Sequence, residues 1–219
     1  MSNKNLHHII QIFFVIIIFD SLIGQNTRPK SWWSFDKFQK NITIDNASQI
    51  KDEIHGNFRI VKGVSGKALF FDGYTTVIKR KSNLVPTIND EFTIEAWLAV
   101  AAYPWNWSPI IDLSQGLLYG FEFSLGPRGE LRLSAAVNSR RHELLIPAGT
   151  IPLNKWVHVA ARFNANAKLE IFVNGVLLGE KNVIKPPRLS GRNPTNKLQI
   201  PKDVDLLIGG IREPLRPSS

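Results

Sequence analysis

The run Tyr103-Pro104-Trp105-Asn106-Trp107 carries the side chains best suited to ligand recognition in this chain. Flat aromatic faces stack on the C–H faces of a pyranose ring, and an amide beside them takes the hydroxyls. Tyr103, Trp105, Asn106 and Trp107 are therefore the candidate ligand-binding residues, in a stretch that reads as a loop between strands. The same cluster also suits a plug over the open end of a β structure, or a contact with another domain. A lone aromatic insert does not separate these roles.

Catalytic and metal chemistry find weaker support. Glu91 and Glu95, four apart on one extended segment, fall on the same face. They are then roughly 13 Å apart along the strand, whereas a retaining glycosidase pair needs about 5 Å. Glu95 reads as a fold residue or a solvated strand charge. His55, His142 and His158 are isolated and His7 and His8 sit near the N-terminus, so no zinc spacing appears. There is no nucleophile elbow and no phosphate loop, and no catalytic residue is assigned. The oxygen donors Asp36, Asp72, Asp90 and Asp112 are scattered. Asp72 and Asp112 are the weak metal candidates, and calcium stays open although no cofactor is required. Asp72, directly before Gly73, reads first as a turn former.

The elements that must position these residues are strands. From Trp156 to Phe163 and from Lys168 to Val173 apolar residues alternate with polar or small ones, and Asn174-Gly175 supplies the two positive-φ positions of a tight hairpin. Phe92 to Val100 alternates strictly, with bulk on both faces, which predicts a central strand. Trp97 and Trp156 are expected in the core. Further strands are predicted at Trp32 to Asp36, Phe58 to Lys62, Ala68 to Asp72, Tyr74 to Lys79, Ser108 to Leu113, Tyr119 to Leu125, Glu130 to Val137, His142 to Ile146 and Asp205 to Gly209, with a polar segment from Asn41 to Glu53. Many short strands separated by Gly, Pro and Asn turns predict an all-β sandwich.

The chain has 219 residues and no cysteine, so stability must come from one sizeable core without disulfides. Residues 1–24, with the apolar run Ile9 to Phe19 closed by Asp20 and Gly24, match a secretory signal cleaved near Gly24 or Gln25; an uncleaved anchor is the alternative. A secreted or periplasmic address follows, with no stable membrane insertion after cleavage. The net charge of +9 is spread along the sequence rather than clustered. This disfavours nucleic acid as a partner and leaves a loose affinity for acidic polysaccharide or anionic surfaces.

Several pieces in order resemble one superfamily: Trp33-Ser34-Phe35-Asp36, Val64-Ser65-Gly66-Lys67-Ala68-Leu69-Phe70-Phe71-Asp72-Gly73, Phe92-Thr93-Ile94-Glu95-Ala96-Trp97, Pro152-Leu153-Asn154-Lys155-Trp156-Val157-His158-Val159-Ala160, Phe172-Val173-Asn174-Gly175 and Leu207-Ile208-Gly209. Together they are similar to the laminin-G-like, concanavalin A-like jelly rolls attached to bacterial secreted glycoside hydrolases of the family 32 and 43 kind. The resemblance implies a two-sheet antiparallel jelly roll over residues 32–210, after a spacer at 25–31 and before a short tail at 211–219. It also implies carbohydrate or a downstream catalytic domain as partner, with a protein adhesion module as a further alternative. The carboxylate triplet Glu-x-Asp-x-x-Glu of the glucanases on this fold is missing. So is the closing strand that relatives carry after the Ile-Gly segment, so the fold is expected to lack its last strand or to complete the sheet with another segment.

Overall fold

The computed structural model describes residues 16–19, 28–88, 91–164, 166–183 and 197–210. They form an all-β sandwich of antiparallel sheets, with no α-helix among the described residues. The six-stranded sheet runs, in spatial order, Val176–Asn182, Lys168–Val173, Trp156–Asn164, Phe92–Ala99, Ile16–Phe19 and Ser31–Trp33. The nine-stranded sheet runs Arg140–Ile146, Leu131–Val137, Phe121–Leu125, Ser108–Asp112, Leu206–Ile208, Val77–Arg80, Lys51–His55, Ile42–Ile44 and Phe38–Gln39. A small ribbon pairs Arg59–Lys62 with Lys67–Phe70.

Alternation fixes which side chains meet between the sheets. Phe92, Ile94, Ala96 and Leu98 are buried, and so are Val157, Val159, Ala161 and Phe163 of the adjoining strand. From the facing sheet come Phe121, Phe123, Leu125, Leu131, Leu133 and Ala135. Phe92 stacks on Phe121 with ring centroids 4.3 Å apart and lies 6.2 Å from Phe163. Each such side chain contributes about 1.5–3 kcal/mol on burial, so this seam carries the stability that disulfides would otherwise supply. The Asn174-Gly175 turn has φ values of 49° and 78°, the primed geometry its sequence predicts.

Three expectations are corrected. Trp97 and Trp156 are not in the core; both are half-buried on the outer face of the six-stranded sheet. Their strand positions carry the opposite parity from the inward-facing Ala96, Leu98 and Val157, and Trp97 packs against His158 with centroids 5.3 Å apart. The polar segment 41–53 contains two strands, Ile42–Ile44 and Lys51–His55. Its inward residues Thr43, Asp45 and Asp52 are polar and buried, and the two aspartates serve an inner ion cluster, in which Arg80 meets Asp52 at 2.6 Å and Asp45 at 2.9 Å. Trp33 Nε1 also donates to Asp52. Lastly, among the described residues a strand at Ile16–Phe19 precedes the expected one, which runs Ser31–Trp33. It lies between Ser31–Trp33 and Phe92–Ala99, with Ile17 opposite both Trp32 and Glu95. The rest of the expected leader, the residues 25–27 of the spacer and the tail 211–219 lie outside the described residues.

Candidate functional site

The loop after Phe92–Ala99 brings Tyr103, Trp105, Asn106 and Trp107 to one end of the nine-stranded sheet, but gives them different tasks. Tyr103 is a strut: its hydroxyl donates to the Ile151 carbonyl at 2.7 Å, and its ring leaves no room for a Cβ at Gly129. Asn106 is exposed, and its Oδ1 accepts the backbone N–H of Trp107 at 2.8 Å. Trp105 projects outward with 74% of its surface exposed.

Trp107 folds back over the outer face of the nine-stranded sheet. Its ring covers the Arg132 guanidinium, 4.3 Å from centroid to Cζ, and its far edge packs over Gly126, where a Cβ would come within 3.0 Å. On Leu131–Val137 the inward residues are Leu131, Leu133, Ala135 and Val137, so Arg132 and Ser134 point outward. On Phe121–Leu125 the outward pair is Glu122 and Ser124. Arg132 Nη2 donates to Glu122 Oε1 at 2.8 Å. Ser124 lies directly opposite Arg132 in register, and Ser134 opposite Glu122.

This face holds more hydrogen-bonding capacity than it uses. Near the Trp107 ring Ser124 Oγ and Arg132 Nε are buried without a hydrogen-bond partner; Arg141 Nη1 is also unpaired, but at the other end of the strands. Leaving a buried polar atom unpaired costs about 1–3 kcal/mol. Ser124 Oγ and Arg132 Nε are both closed to solvent, so the groups of this end open to a hydroxyl-rich ligand are the exposed Trp105 ring and Asn106. Sequence reading found the aromatic half of this arrangement and missed the polar half, which is assembled across two strands by register. The only local signal was the alternation of Phe121-Glu122-Phe123-Ser124-Leu125 with Leu131-Arg132-Leu133-Ser134-Ala135.

The carboxylates behave differently from a reacting pair. Asp112 and Glu122 are opposite each other in register, yet Asp112 Oδ1 accepts from the Ser114 backbone N–H and hydroxyl while Glu122 turns to Arg132. Asp72 accepts the backbone N–H groups of Tyr74, Thr75 and Thr76 at Oδ1 and the Thr75 hydroxyl at Oδ2. Burial pushes its carboxyl up, but those hydrogen bonds outweigh it and bring the pKa down to about 2. Its oxygens are thus engaged within its own turn. Among the described residues no group of three or more His, Asp or Glu side chains is placed to hold a metal. Glu95 faces His158 Nε2 at 3.4 Å on the other sheet, far from the aromatic loop in the fold's topology.

The same nine-stranded sheet carries a groove of about 600 Å³ at its other half, lined by Glu53, His55, Lys79, Lys81 and Asp205 among others. Its charges are largely matched internally, Lys79 with Asp205 at 3.1 Å and His55 with Glu53 at 3.3 Å.

A family model of the concanavalin A-like lectin/glucanases superfamily matches residues 72–206. The chain belongs to this superfamily. No curated protein sequence matches this concanavalin A-like domain. Among solved structures it is similar to the binding domain of Paraclostridial Mosquitocidal Protein 1, at 15% identity and a TM-score of 0.50 over 91% of this chain and 48% of that one. It is also similar to the binding domain of botulinum neurotoxin DC, solved in complex with rat synaptotagmin II, at 16% identity and a TM-score of 0.49 over 80% and 47%. A third is botulinum neurotoxin type C, whose cell entry is dependent upon interaction with two ganglioside molecules, at 16% identity and a TM-score of 0.49 over 97% and 50%. At such identities the likeness is one of fold. The chain spans about half the length of these solved chains.

Proposed function

We propose that the chain is an exported, non-catalytic concanavalin A-like module that binds carbohydrate at the Trp105-Asn106-Trp107 loop and the polar face beside it. The observation that carries this reading is the Trp107 ring stacked on Arg132, with Glu122 holding the guanidinium, next to the exposed Trp105-Asn106 tip. Trp105 supplies an exposed ring at the rim of that face. Membership of a superfamily that includes lectins favours the same reading. Export is supported by the apolar run Ile9 to Phe19 and by the cysteine-free composition.

Isothermal titration against a panel of neutral and acidic polysaccharides tests the proposal. A saturable heat with one of them, weakened at least tenfold (about 1.4 kcal/mol) in Trp105→Ala/Trp107→Ala, is the expected result. Silence across the panel removes the carbohydrate claim. The 74% exposure of Trp105 also favours a second reading, contact with a glycoside hydrolase domain encoded downstream. In that case Trp105→Ala abolishes co-purification with that domain while the glycan titration of the wild type is flat.

A further inference from the structure

We infer that the hairpin tip Gly116-Leu117-Leu118-Tyr119 is a docking point for an anionic lipid surface. The tip joins Ser108–Asp112 to Phe121–Leu125 and is closed by a bridge between Gln115 and Tyr119, with the Gln115 N–H donating to the Tyr119 carbonyl at 3.2 Å. Its apolar side chains point to solvent: Leu117 is 72% exposed, Leu118 50% and Tyr119 44%. They stand on a rigid base. Gly120 donates to Gln199 and accepts from Ala136, and its φ of 77° with the Leu113 carbonyl against it admits only glycine.

Charge selects the occupant. The strand register places the tip beside the turn at Asn138 and Ser139, the segment 197–205 and the start of the short helix Ser82–Leu84. Ser139 N–H donates to Gln199 Oε1, and Leu198 bridges to Val137. That end of the sandwich therefore carries the exposed Lys81, Arg140, Lys197 and Lys202. The described acids there are mostly engaged: Asp203 is exposed, Glu91 is half-buried near Arg162, Asp205 is paired with Lys79, and Asp112 is buried and bonded to Ser114. Apolar side chains on a narrow projection at a cationic end match the boundary between headgroups and acyl chains of an anionic leaflet. A hairpin tip is too small for the core of a stable protein interface, which needs about 800 Å² per partner. The tip is at the opposite end of its two strands from Trp107, so lipid contact and the aromatic loop do not compete. The inference does not depend on the glycan reading.

Co-sedimentation of the full chain with vesicles of phosphatidylcholine, alone or mixed with phosphatidylserine, tests it. Binding to the mixed vesicles, at least about tenfold tighter than to phosphatidylcholine and lost near 0.5 M salt, is expected. L117S/L118S, at exposed positions, reduces it at least tenfold. Equal binding by that variant would assign vesicle affinity to the apolar N-terminal run and overturn the proposal, as would no preference for phosphatidylserine. Because the chain has no cysteine, Leu117→Cys takes a single polarity-sensitive dye. Its emission shifts blue on the mixed vesicles, whereas a dye at Val176→Cys, beside the turn at the other end of the sandwich, does not shift. If light scattering shows that L117S/L118S dissolves a wild-type dimer and the Leu117 dye is unmoved by lipid, the tip belongs to a second copy and the proposal fails.

Discussion

The Arg132 guanidinium lies 4.3 Å from the centre of the Trp107 ring while donating to Glu122 at 2.8 Å. A planar cation held between a carboxylate and an aromatic face has little freedom left, so the ring above it is preorganised. Trp105, with no such partner on the sheet face, is the adaptable half of the loop.

The inner ion cluster is the most sensitive point of the fold. Arg80 and Asp52 are each 1% exposed and Asp45 0%, with the guanidinium 4.5 Å from the Trp33 ring. Arg80→Ala strands two buried carboxylates, and a destabilisation of about 3–5 kcal/mol is expected in urea titration. Trading the whole cluster for apolar residues of matching volume should cost far less, because the desolvation penalty disappears with the charges.

Asp72 makes acid stability predictable. Its pKa of about 2 in the folded chain is below the ordinary 3.8. The stabilisation is therefore complete above 3.8 and is lost as the pH falls through 2. Asp72→Asn should flatten the melting temperature in that window and lower stability at neutral pH by about 1–2 kcal/mol, read by thermal unfolding monitored by circular dichroism.

His142 acts with the opposite charge type. Burial, then the nearby Lys181 and Arg140, push its pKa below the ordinary 6.5 against a hydrogen bond to Val137 that raises it, and its Nε2 is unpartnered. The unfolded chain takes up the proton first, so stability should fall as the pH drops through 6.5 and level off below the folded value. Denaturation midpoints measured from pH 8 to 5 should show this slope in the wild type and not in His142→Gln.

Removing the N-terminal strand should change the association state. Without Ile16–Phe19, Ser31–Trp33 loses its partner in the six-stranded sheet and Phe92–Ala99 gains an open edge. Unpaired edges recruit other chains. Residues 25–219 alone should dimerise or aggregate in multi-angle light scattering, and a monomer would show that the slot closes by itself.

The β architecture was legible wherever one face of a strand is apolar. Phe92–Ala99 and the hairpin through Asn174-Gly175 follow from alternation and turn chemistry, and Asp72 follows from its place before Gly73. The pattern misled where burial is polar or bulk lies outside. Lys51–His55 buries Asp52 for the sake of Arg80, a partner remote in sequence. Trp97 and Trp156 carry core-like side chains on the outer face. At the candidate site the aromatic loop is contiguous and was visible, whereas Glu122, Ser124 and Arg132 meet only through strand pairing. An apolar run such as Ile9 to Phe19 has no period to distinguish strand from signal, so the pairing of Ile16–Phe19 in the six-stranded sheet was not visible in it.

The most direct test of the central claim compares two tryptophans on opposite sheets. The full chain is titrated calorimetrically with the polysaccharide it binds, alongside Trp107→Ala and Trp97→Ala. The account predicts affinity lowered at least tenfold in Trp107→Ala and unchanged in Trp97→Ala. Affinity that survives the loss of Trp107, or falls with Trp97 instead, would contradict it.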